Sequence, residues 1–353
     1  MTPADLSRTV LHAVRRAVDE DVLRAPVPAR VRVERTRPGG SGEYACAVAL
    51  QLAGPAELPA REVAALLRDR IAGAPGVGRV EITGPGFLNF TPDASTDGSA
   101  RSARVRQVRE QGLRYGWGTE CAGELHRFHH RREVRAAVLA DTVTKLLRAQ
   151  GALARTTCEE GPDPDWARLG VTVDAHGRPS PFAEIRPVPA GATAGELLER
   201  LGADAARWGL LRPAGHDRAA LGEELLVQGE GNPLFLVRYA HARARALTRH
   251  GALLGLTGAY EQDVEAPPLH AALADHPGVL AGAARHRAPD RLARHLETVA
   301  HAFFDFHDAC PPLPVGDEKP SAAHRSRLAL AEAAGTVLAG GLSLLGISAP
   351  EHL

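Results

Sequence analysis

One segment of the chain, residues 231–245, reads GNPLFLVRYAHARAR and predicts a loop that runs into a helix. Pro233 cannot continue a preceding helix, and its fixed φ suits the first turn of the next one. Leu236, Ala240 and Ala244 follow at four-residue spacing, which is the spacing of a packed helix face. The segment therefore predicts that the C-terminal part of the chain begins with a long helix packed on a core.

A second face of the same predicted helix is basic. Four side chains recur there at spacings of three or four residues, namely Arg238, His241, Arg245 and Arg249. Tyr239 and Arg243 form a further pair beside them, one helical turn apart. Aromatic rings and guanidinium planes can stack on unpaired bases and pair with phosphates. The periodicity leaves two interpretations open, a solvated basic face on a core helix and a contact with RNA.

The same residues resemble the entry to the anticodon-binding domain of the arginyl-tRNA synthetases. In that family the helix begins with Asn-Pro and continues with Tyr-Ala-His-Ala-Arg; here NP stands at residues 232–233 and YAHAR at residues 239–243. The resemblance favours the RNA contact over the solvated face. It implies that the anticodon side of a tRNA is contacted by Asn232, Arg238, Tyr239, His241 and Arg243.

A segment nearer the N-terminus reads VEITGPGFLNF at residues 80–90 and predicts two short strands joined by a tight turn. Together with GEYA at residues 42–45 and VALQLA at residues 48–53, it resembles the N-terminal tRNA-binding domain of the same family. The resemblance implies that Phe87 and Asn89 contact the tRNA elbow, as a ring that stacks and an amide that reads a base edge. A structural hairpin with Phe87 in the core is a second interpretation, and the two are compatible.

The middle of the chain resembles the family's catalytic domain in its helices but departs from it at the first ATP-binding signature. A predicted helix at residues 134–151 follows that signature, His-x-Gly-His, whose positions fall on His130, Arg131, Arg132 and Glu133. The glycine that lets the backbone approach ATP is missing. A carboxylate stands where the second histidine would stabilise a phosphate, which opposes that chemistry.

The second signature, Lys-Met-Ser-Lys, is also altered. It precedes a well-matched predicted helix at residues 196–207, and its positions fall on Ala183, Glu184, Ile185 and Arg186. Both lysines are therefore lost. Only about 20 residues separate Gly151 from Val171, which is too few for a complete doubly wound sheet. The region is expected to be a small α/β remnant with at most a few strands.

These segments together predict three regions. Residues 1–115 are expected to form an α+β N-terminal domain that resembles the tRNA-elbow-binding domain. Residues 116–227 are expected to form a degenerate, truncated α/β remnant of a class I synthetase catalytic domain. Residues 228–353 are expected to form an all-α helical bundle, a DALR-like anticodon-binding domain. One apolar stripe of this bundle recurs at helical spacing and comprises Leu292, Leu296, Val299, Phe303 and Phe306.

The composition argues against several classes of protein. The net charge is zero, with 44% hydrophobic and 24% charged residues, which is ordinary for a soluble globular chain. The four cysteines form no CxxC pair, so neither a zinc ribbon nor a disulfide framework is indicated, and a reducing cytoplasm is favoured. His126, His129 and His130 lack a second ligand cluster, so no metal site is expected. No cofactor, DNA partner or membrane partner is expected either.

We expect from these features a cytoplasmic tRNA-binding protein without aminoacylation activity, and thus not an enzyme. It would present or sequester arginine tRNA for a tRNA-modifying enzyme or for a pathway that uses aminoacyl-tRNA. One alternative is a protein–protein scaffold that has lost tRNA binding. It is favoured by the charge of residues 228–353, which hold two more acidic side chains than basic ones. A second alternative is a divergent aminoacyl-tRNA-dependent enzyme, although the sequence offers no clear nucleophile–base pair for it.

Overall fold

The structure, a computed structural model, describes residues 3–36, 41–178, 180 and 182–353, without the side chains of residues 4 and 94–97. The chain divides into two compact units, Met1–Ala103 and Arg104–Leu353. The middle and C-terminal regions expected from the sequence share one hydrophobic core in the second unit. The predicted region boundaries at 115/116 and 227/228 differ from the boundary between the two units, and they stay a prediction.

The first unit is an antiparallel sheet packed against three helices. Its elements in chain order are α1 (Pro3–Asp19), β1 (Val33–Arg35), β2 (Tyr44–Cys46), α2 (Val48–Ala56), α3 (Ala60–Ile71), β3 (Val77–Thr83) and β4 (Phe87–Pro92). The strands are ordered β1-β2-β4-β3, and each neighbouring pair is antiparallel. Leu88 and Phe90 alternate along β4 and are fully buried in the core, as the two-residue period of a strand requires. The predicted α+β character is confirmed.

The β3–β4 hairpin turns at residues 84–86. Gly86 has φ +144°, and a Cβ atom there would lie 2.8 Å from the carbonyl oxygen of Ala60 at the start of α3. Both the backbone conformation and the lack of space require glycine. This close approach ties the turn to α3 and fixes the position of Phe87, which follows the turn directly.

The second unit contains a small parallel sheet. After α4 (Ala94–Gln111), which contains the unit boundary, its elements are β5 (Leu125–His130), α5 (Val134–Ala149), β6 (Leu153–Cys158), α6 (Pro164–Arg168), β7 (Ala175–His176), β8 (Ala183–Glu184) and α7 (Ala194–Leu211). The strands are ordered β7-β6-β5-β8, and each neighbouring pair is parallel. Because β7 and β8 have two residues each, this is a small α/β layer, as predicted.

Four long helices complete the second unit. They are α8 (Pro233–Leu253), α9 (Pro267–His286), α10 (Pro289–Ala309) and α11 (Ala322–Leu345). The α8 helix packs on α10 and α11, and α9 packs on α10. The apolar stripe predicted for α10 is buried. The predicted C-terminal helical bundle is therefore confirmed.

By length and composition, α11 is apolar enough to cross a membrane, and it is the one such helix in the described part of the chain. However, 78% of its most apolar stretch is buried inside the second unit. Packing against the neighbouring helices therefore accounts for its composition.

Candidate nucleic-acid interface

Three aromatic side chains form a strip on the surface of the second unit. Tyr239 of α8 stacks on Phe235, one turn earlier in the same helix, with ring centroids 5.5 Å apart and planes inclined by 9°. It also stacks on Phe304 of α10, at 5.5 Å and 23°. We call Phe235, Tyr239 and Phe304 the aromatic strip. Because Tyr239 is 42% exposed, the strip presents an aromatic surface to solvent.

The bundle core holds the aromatic strip in place. Phe303 precedes Phe304 on α10, is fully buried, and meets the Phe304 ring edge-on with centroids 5.5 Å apart. Aromatic rings in edge-on or offset contact contribute more stability than the burial of their surface alone would give. Tyr239 is therefore an exposed ring on a packed support, which is the arrangement that stacking on an unpaired base uses.

A guanidinium group lies one helical turn from Tyr239. Arg243 is exposed, and its Nε donates a hydrogen bond to Nε2 of His307 on α10 at 3.4 Å. Since Nε2 accepts, Nδ1 of the neutral ring carries the proton and donates to the carboxylate of Asp308 at 3.1 Å. The side chains of His307 and Asp308 therefore orient Arg243 beside the aromatic strip, where its charge can meet a phosphate or a base edge.

The predicted basic face of α8 is covered by another part of the chain. We call Arg238, His241, Arg245 and Arg249 the basic stripe. Arg238 pairs with Asp204 at 3.4 Å, and Arg245 pairs with Glu351 at 2.7 Å. The stripe is thus neutralised by carboxylates distant in sequence, and of the residues predicted on the anticodon side, Tyr239 and Arg243 lie on the exposed face instead.

His241 is one correction to the predicted contacts. It is 4% exposed, and its Nδ1–H donates to the carbonyl oxygen of Pro350 at 2.9 Å. Burial lowers the pKa of His241, because the imidazolium would lose its hydration. The ring is therefore a neutral structural contact to the end of the chain, not a cation for tRNA.

Asn232 is a second correction. It caps α8: its Oδ1 accepts from the backbone amides of Leu234 at 3.0 Å and Phe235 at 3.3 Å. Its Nδ2 donates to the carbonyl oxygens of Leu225 at 2.8 Å and Val227 at 2.9 Å. Because the side chain is buried and both of its polar atoms are engaged inside the protein, it positions the helix and does not contact RNA.

The two residues predicted on the elbow side differ in exposure. Phe87 is 37% exposed at the start of β4, so its ring is accessible for stacking. Asn89 is 4% exposed, and its Nδ2 donates to Oγ1 of Thr83 at 2.6 Å across the hairpin. The prediction that Asn89 reads a base edge is therefore wrong, because its amide is buried and braces the turn that presents Phe87.

The positions of the first ATP-binding signature lie at the carboxyl end of β5 and the start of α5. His130 is buried, burial lowers its pKa, and its Nε2 has no hydrogen-bond partner in the described part of the chain. Glu133 is the N-cap of α5, and its carboxylate accepts from the amides of Ala136 at 2.8 Å and Ala190 at 2.9 Å. A helix N-terminus attracts anions, and here a side chain of the protein occupies it.

The second signature lies on the neighbouring strand. Ala183 in β8 pairs with Phe128 of β5, so the two signature positions lie on adjacent strands of the sheet. The Arg186 side chain is exposed and contacts Glu184. Among the described residues, no group of three or more His, Cys, Asp or Glu side chains is arranged to hold a metal ion.

Sequence reasoning missed Phe235, Phe304 and His307 as parts of this surface. Phe235 had a local signal, since it stands four residues before Tyr239 and so on the same helix face. Phe304 and His307 belong to α10, more than 60 residues away in sequence. Only the packing of α10 against α8 brings them to Tyr239 and Arg243.

Two family models match the two ends of the chain. The arginyl tRNA synthetase N terminal domain matches residues 5–91, and the DALR anticodon binding domain matches residues 237–353. The two ends of the chain are thus similar to two domains of arginyl-tRNA synthetases. The aromatic strip, Arg243 and the capped start of α8 lie in or directly before the match to the anticodon-binding domain, and the Phe87 hairpin lies in the match to the synthetase N-terminal domain.

Similar proteins of this family extend over the full chain. The arginine–tRNA ligase of Renibacterium salmoninarum is 27% identical over 553 residues, with 100% of both chains covered. That of Frankia alni is 27% identical over 552 residues, again with 100% of both covered. The solved arginyl-tRNA synthetase of Thermus thermophilus shares the fold, with a TM-score of 0.71, 14% identity and 100% coverage of both chains. The present chain is shorter than these alignments, at 353 residues.

The expectation that the protein is not an enzyme is wrong on these comparisons. It rested on the altered signature positions, among them Glu133 and Arg186. The relatives that cover the whole chain are named arginine–tRNA ligases, which are enzymes. The altered positions are therefore features of a chain whose relatives are catalytic.

Proposed function

We propose that the protein binds tRNA, with the aromatic strip at the anticodon loop and the Phe87 hairpin at the elbow, and presents or sequesters arginine tRNA for a partner. The observation that carries this proposal is the exposed Tyr239 ring, which stacks with Phe235 and Phe304 and lies one turn from an oriented Arg243. An anticodon loop offers unpaired bases and closely spaced phosphates. The aromatic strip can stack on the unpaired bases, and the Arg243 guanidinium can pair with a phosphate.

The strength of such a contact can be estimated. Stacking of one base on an aromatic side chain contributes roughly 1–3 kcal/mol, and a charge-assisted bond from arginine to phosphate adds a salt-dependent part. The net charge of the chain is zero, so long-range attraction contributes little. Binding therefore depends on the strip more than on the overall field of the protein.

The direct test is a titration of labelled, unfractionated tRNA with the full chain at low and moderate salt. Tyr239→Ala is expected to weaken binding by roughly 5-fold to 100-fold, from the loss of one stacked base. Tyr239→Phe keeps the ring and is expected to bind nearly as the original chain does. Trp117→Ala is the matched control, because it removes an aromatic residue of similar exposure, 44%, outside the strip.

A protein–protein scaffold would give a different outcome. If tRNA does not bind at low salt, or if it binds Tyr239→Ala and Phe87→Ala as tightly as the original chain, the tRNA proposal is wrong. The partner of a bound tRNA would be an enzyme that modifies tRNA or consumes aminoacyl-tRNA. Capture of that enzyme by the protein only when tRNA is present would support the presenting role.

Arginine–tRNA ligation is a second candidate function, and the names of the whole-chain relatives favour it. It requires the same tRNA contacts and, in addition, the activation of arginine by ATP. Arginine-dependent exchange of labelled pyrophosphate into ATP by the purified chain would establish it. Exchange that does not exceed an arginine-free blank would leave tRNA binding as the function to pursue.

A cytoplasmic location remains part of this proposal. No disulfide joins the cysteines of the described part of the chain, and Cys46, Cys121 and Cys158 are buried. Burial raises the pKa of Cys46 to about 11, which keeps this thiol protonated and unreactive. Cell fractionation with an antibody against the protein tests the location.

A further inference from the structure

The segment at residues 348–352, which we call the C-terminal segment, lies along the basic stripe of α8. The α11 helix ends at Leu345, and Gly346 turns the chain with φ +71°. Ile347 is 4% exposed and anchors this turn in the core. Beyond Ile347, Ala349 is partly buried against the core, whereas Ser348, Glu351 and His352 are exposed.

The C-terminal segment places oxygen atoms on the guanidinium groups of α8. Nε and Nη2 of Arg245 donate to Oε1 of Glu351 at 3.0 and 2.7 Å. Nη2 of Arg249 donates to the carbonyl oxygen of Glu351 at 3.3 Å, and Nη2 of Arg238 donates to Oγ of Ser348 at 3.3 Å. The Glu351 carboxylate, the Glu351 carbonyl oxygen and the Ser348 hydroxyl thus occupy guanidinium donors that a nucleic-acid backbone would use.

The C-terminal segment leaves part of the stripe unsatisfied. Nε of Arg238 and Nη1 of Arg249 are buried and have no hydrogen-bond partner among the described residues. The nearest carboxylate oxygen to Nη1 of Arg249, Oε2 of Glu351, is 3.8 Å away. A buried donor without a partner is unfavourable, and a half-exposed ion pair such as Arg245–Glu351 adds little stability. The ion pairs of Glu351 are therefore weak contacts at a site with unused donors. Ser348 and Pro350 are held more firmly, since the Ser348 amide donates to Asp204 at 2.9 Å and the Pro350 carbonyl accepts from the buried His241 at 2.9 Å.

An open groove beside the C-terminal segment provides room for its displacement. The groove has a volume of about 850 Å³ and lies among α4, α8, α11 and the segment. Arg245, Thr248 and Glu351 line it, and so do Arg109 and Glu332, which pair with each other at 3.0 Å. Because Ile347 is anchored in the core and Ser348 and Pro350 are bonded to Asp204 and His241, the exposed Glu351 and His352 can leave the stripe without unfolding the bundle.

We propose that the C-terminal segment is a built-in competitor for an RNA phosphate backbone on the basic stripe of α8. When RNA displaces Glu351, phosphate oxygens pair with Arg245 and Arg249 and satisfy the donors that the segment leaves unpaired. The stripe is then a second RNA-contact surface of α8, in addition to the aromatic strip. This inference rests on the proposed tRNA binding. It adds a second RNA-contact surface, the basic stripe, which the C-terminal segment covers.

The test compares Glu351→Gln with the original chain in titrations of fluorescein-labelled tRNA over a series of salt concentrations. The substitution removes the competing charge from a half-exposed position, so the fold is retained, which thermal unfolding verifies. Binding at low salt is expected to tighten by about 3-fold to 10-fold. The slope of log affinity against log salt is expected to steepen by roughly 0.7–0.9 for each phosphate newly neutralised.

Two further variants make the result specific. Glu199→Gln removes the same charge from an exposed position on α7 and controls for a change in net charge alone. Arg245→Gln with Arg249→Gln, added to Glu351→Gln, removes the proposed partners of the phosphates. This triple variant is expected to lose both the gain in affinity and the steeper slope.

Each outcome separates this inference from the proposed function. Binding that depends on Tyr239 but is no tighter in Glu351→Gln than in Glu199→Gln overturns the competitor and leaves the tRNA proposal intact. A gain that persists in the triple variant also overturns it. A peptide with the sequence of residues 347–353 that binds Glu351→Gln, without any gain for tRNA, identifies a peptide-docking surface and overturns the RNA assignment. If no variant binds tRNA, both proposals are wrong.

Discussion

Asn232 determines where the helix that carries the aromatic strip begins. Its side chain joins the first amides of α8 to two carbonyl groups of the preceding loop. Four hydrogen bonds to one buried amide fix the direction in which α8 leaves the loop. Phe235 and Tyr239 follow within the first two turns, so their orientation depends on this cap.

We expect Asn232→Ala to lower the free energy of unfolding by about 2 kcal/mol, because it removes the helix cap and leaves the buried Leu225 carbonyl without its donor. Asn232→Ser keeps a cap acceptor and places no charge against the two carbonyl oxygens, so it is expected to be less destabilising. Urea denaturation followed by circular dichroism measures both. Equal stability of Asn232→Ala and the original chain would contradict this role.

The roles of single residues could be predicted from the sequence only where a local signal existed. Asn before Pro is a common start of a helix, so the cap had a local signal, although the resemblance assigned the residue to tRNA contact instead. The burial of His241 had no local signal, because its partner Pro350 lies 109 residues later. The exposure of Tyr239 followed from its position off the apolar stripe.

At the scale of elements, one buried arginine connects four parts of the second unit. Arg207 of α7 donates to the carbonyl of Leu345 in α11 at 2.7 Å and to the carbonyl of Leu169, after α6, at 2.7 Å. It also pairs with Asp141 of α5 at 3.0 Å, with both side chains almost fully buried. Asp141 in turn pairs with Lys145 at 2.8 Å.

We expect Arg207→Met to destabilise the second unit by about 3–5 kcal/mol, because it leaves the Asp141 carboxylate buried with one cation instead of two and two carbonyl groups without donors. Arg200→Met on the exposed side of the same helix is the control and is expected to change stability little. Urea denaturation of both variants checks the difference. Equal effects of the two substitutions would contradict the role of the network.

Two buried histidines lie where α9 and α10 pack together. The rings of His276 and His295 are 5.2 Å apart, and Tyr115 stacks on His276 at 5.8 Å. Nδ1 of His276 and Nε2 of His295 have no hydrogen-bond partner among the described residues. Burial lowers the pKa of both rings, that of His295 to about 4, because protonation would bury a charge.

We expect the protein to lose stability as the pH falls from about 6.5 towards 4. Histidines of the unfolded chain bind protons below about pH 6.5, whereas the folded His295 ring stays neutral down to about pH 4. The unfolded state therefore binds more protons in this window, and His295 alone accounts for about 3 kcal/mol of loss at its lower end. Urea denaturation at several pH values across the window measures the slope.

His295→Phe removes one of the two titrating rings and is expected to flatten that slope. His301→Gln changes an exposed residue of the same helix and is expected to leave the slope unchanged. A slope that is equal in the original chain and in His295→Phe would show that burial of this ring does not control acid stability.

The helices and the hairpin were the features most predictable from the sequence. Helical periodicity located α5, α8, α10 and α11, because apolar residues at three- and four-residue spacing mark a packed face. Turn residues located the β3–β4 hairpin. The sequence could not show that Glu133 caps α5 and also binds the amide of Ala190, since that second contact joins residues 57 positions apart.

Over the whole molecule, a net charge of zero accompanies the two local surfaces that we propose for RNA. The basic stripe visible in the sequence is neutralised in the fold by Asp204 and Glu351. The surface that remains open is the aromatic strip, and one of its three rings comes from α10. The sequence could not show that the basic stripe is covered, because Glu351 lies about 100 positions after Arg245 and Asp204 lies on another helix.

The central claim is that the aromatic strip contacts the anticodon loop of a tRNA. Ultraviolet crosslinking of the full chain to unfractionated tRNA, followed by sequencing of the bound RNA and mass spectrometry of the crosslinked peptides, tests it most directly. We expect tRNA crosslinked through its anticodon loop to peptides that contain Tyr239 or Phe304, with the Tyr239 crosslink lost in Tyr239→Ala. Crosslinks to other RNA with no enrichment of tRNA, or to peptides away from the strip, would contradict the claim.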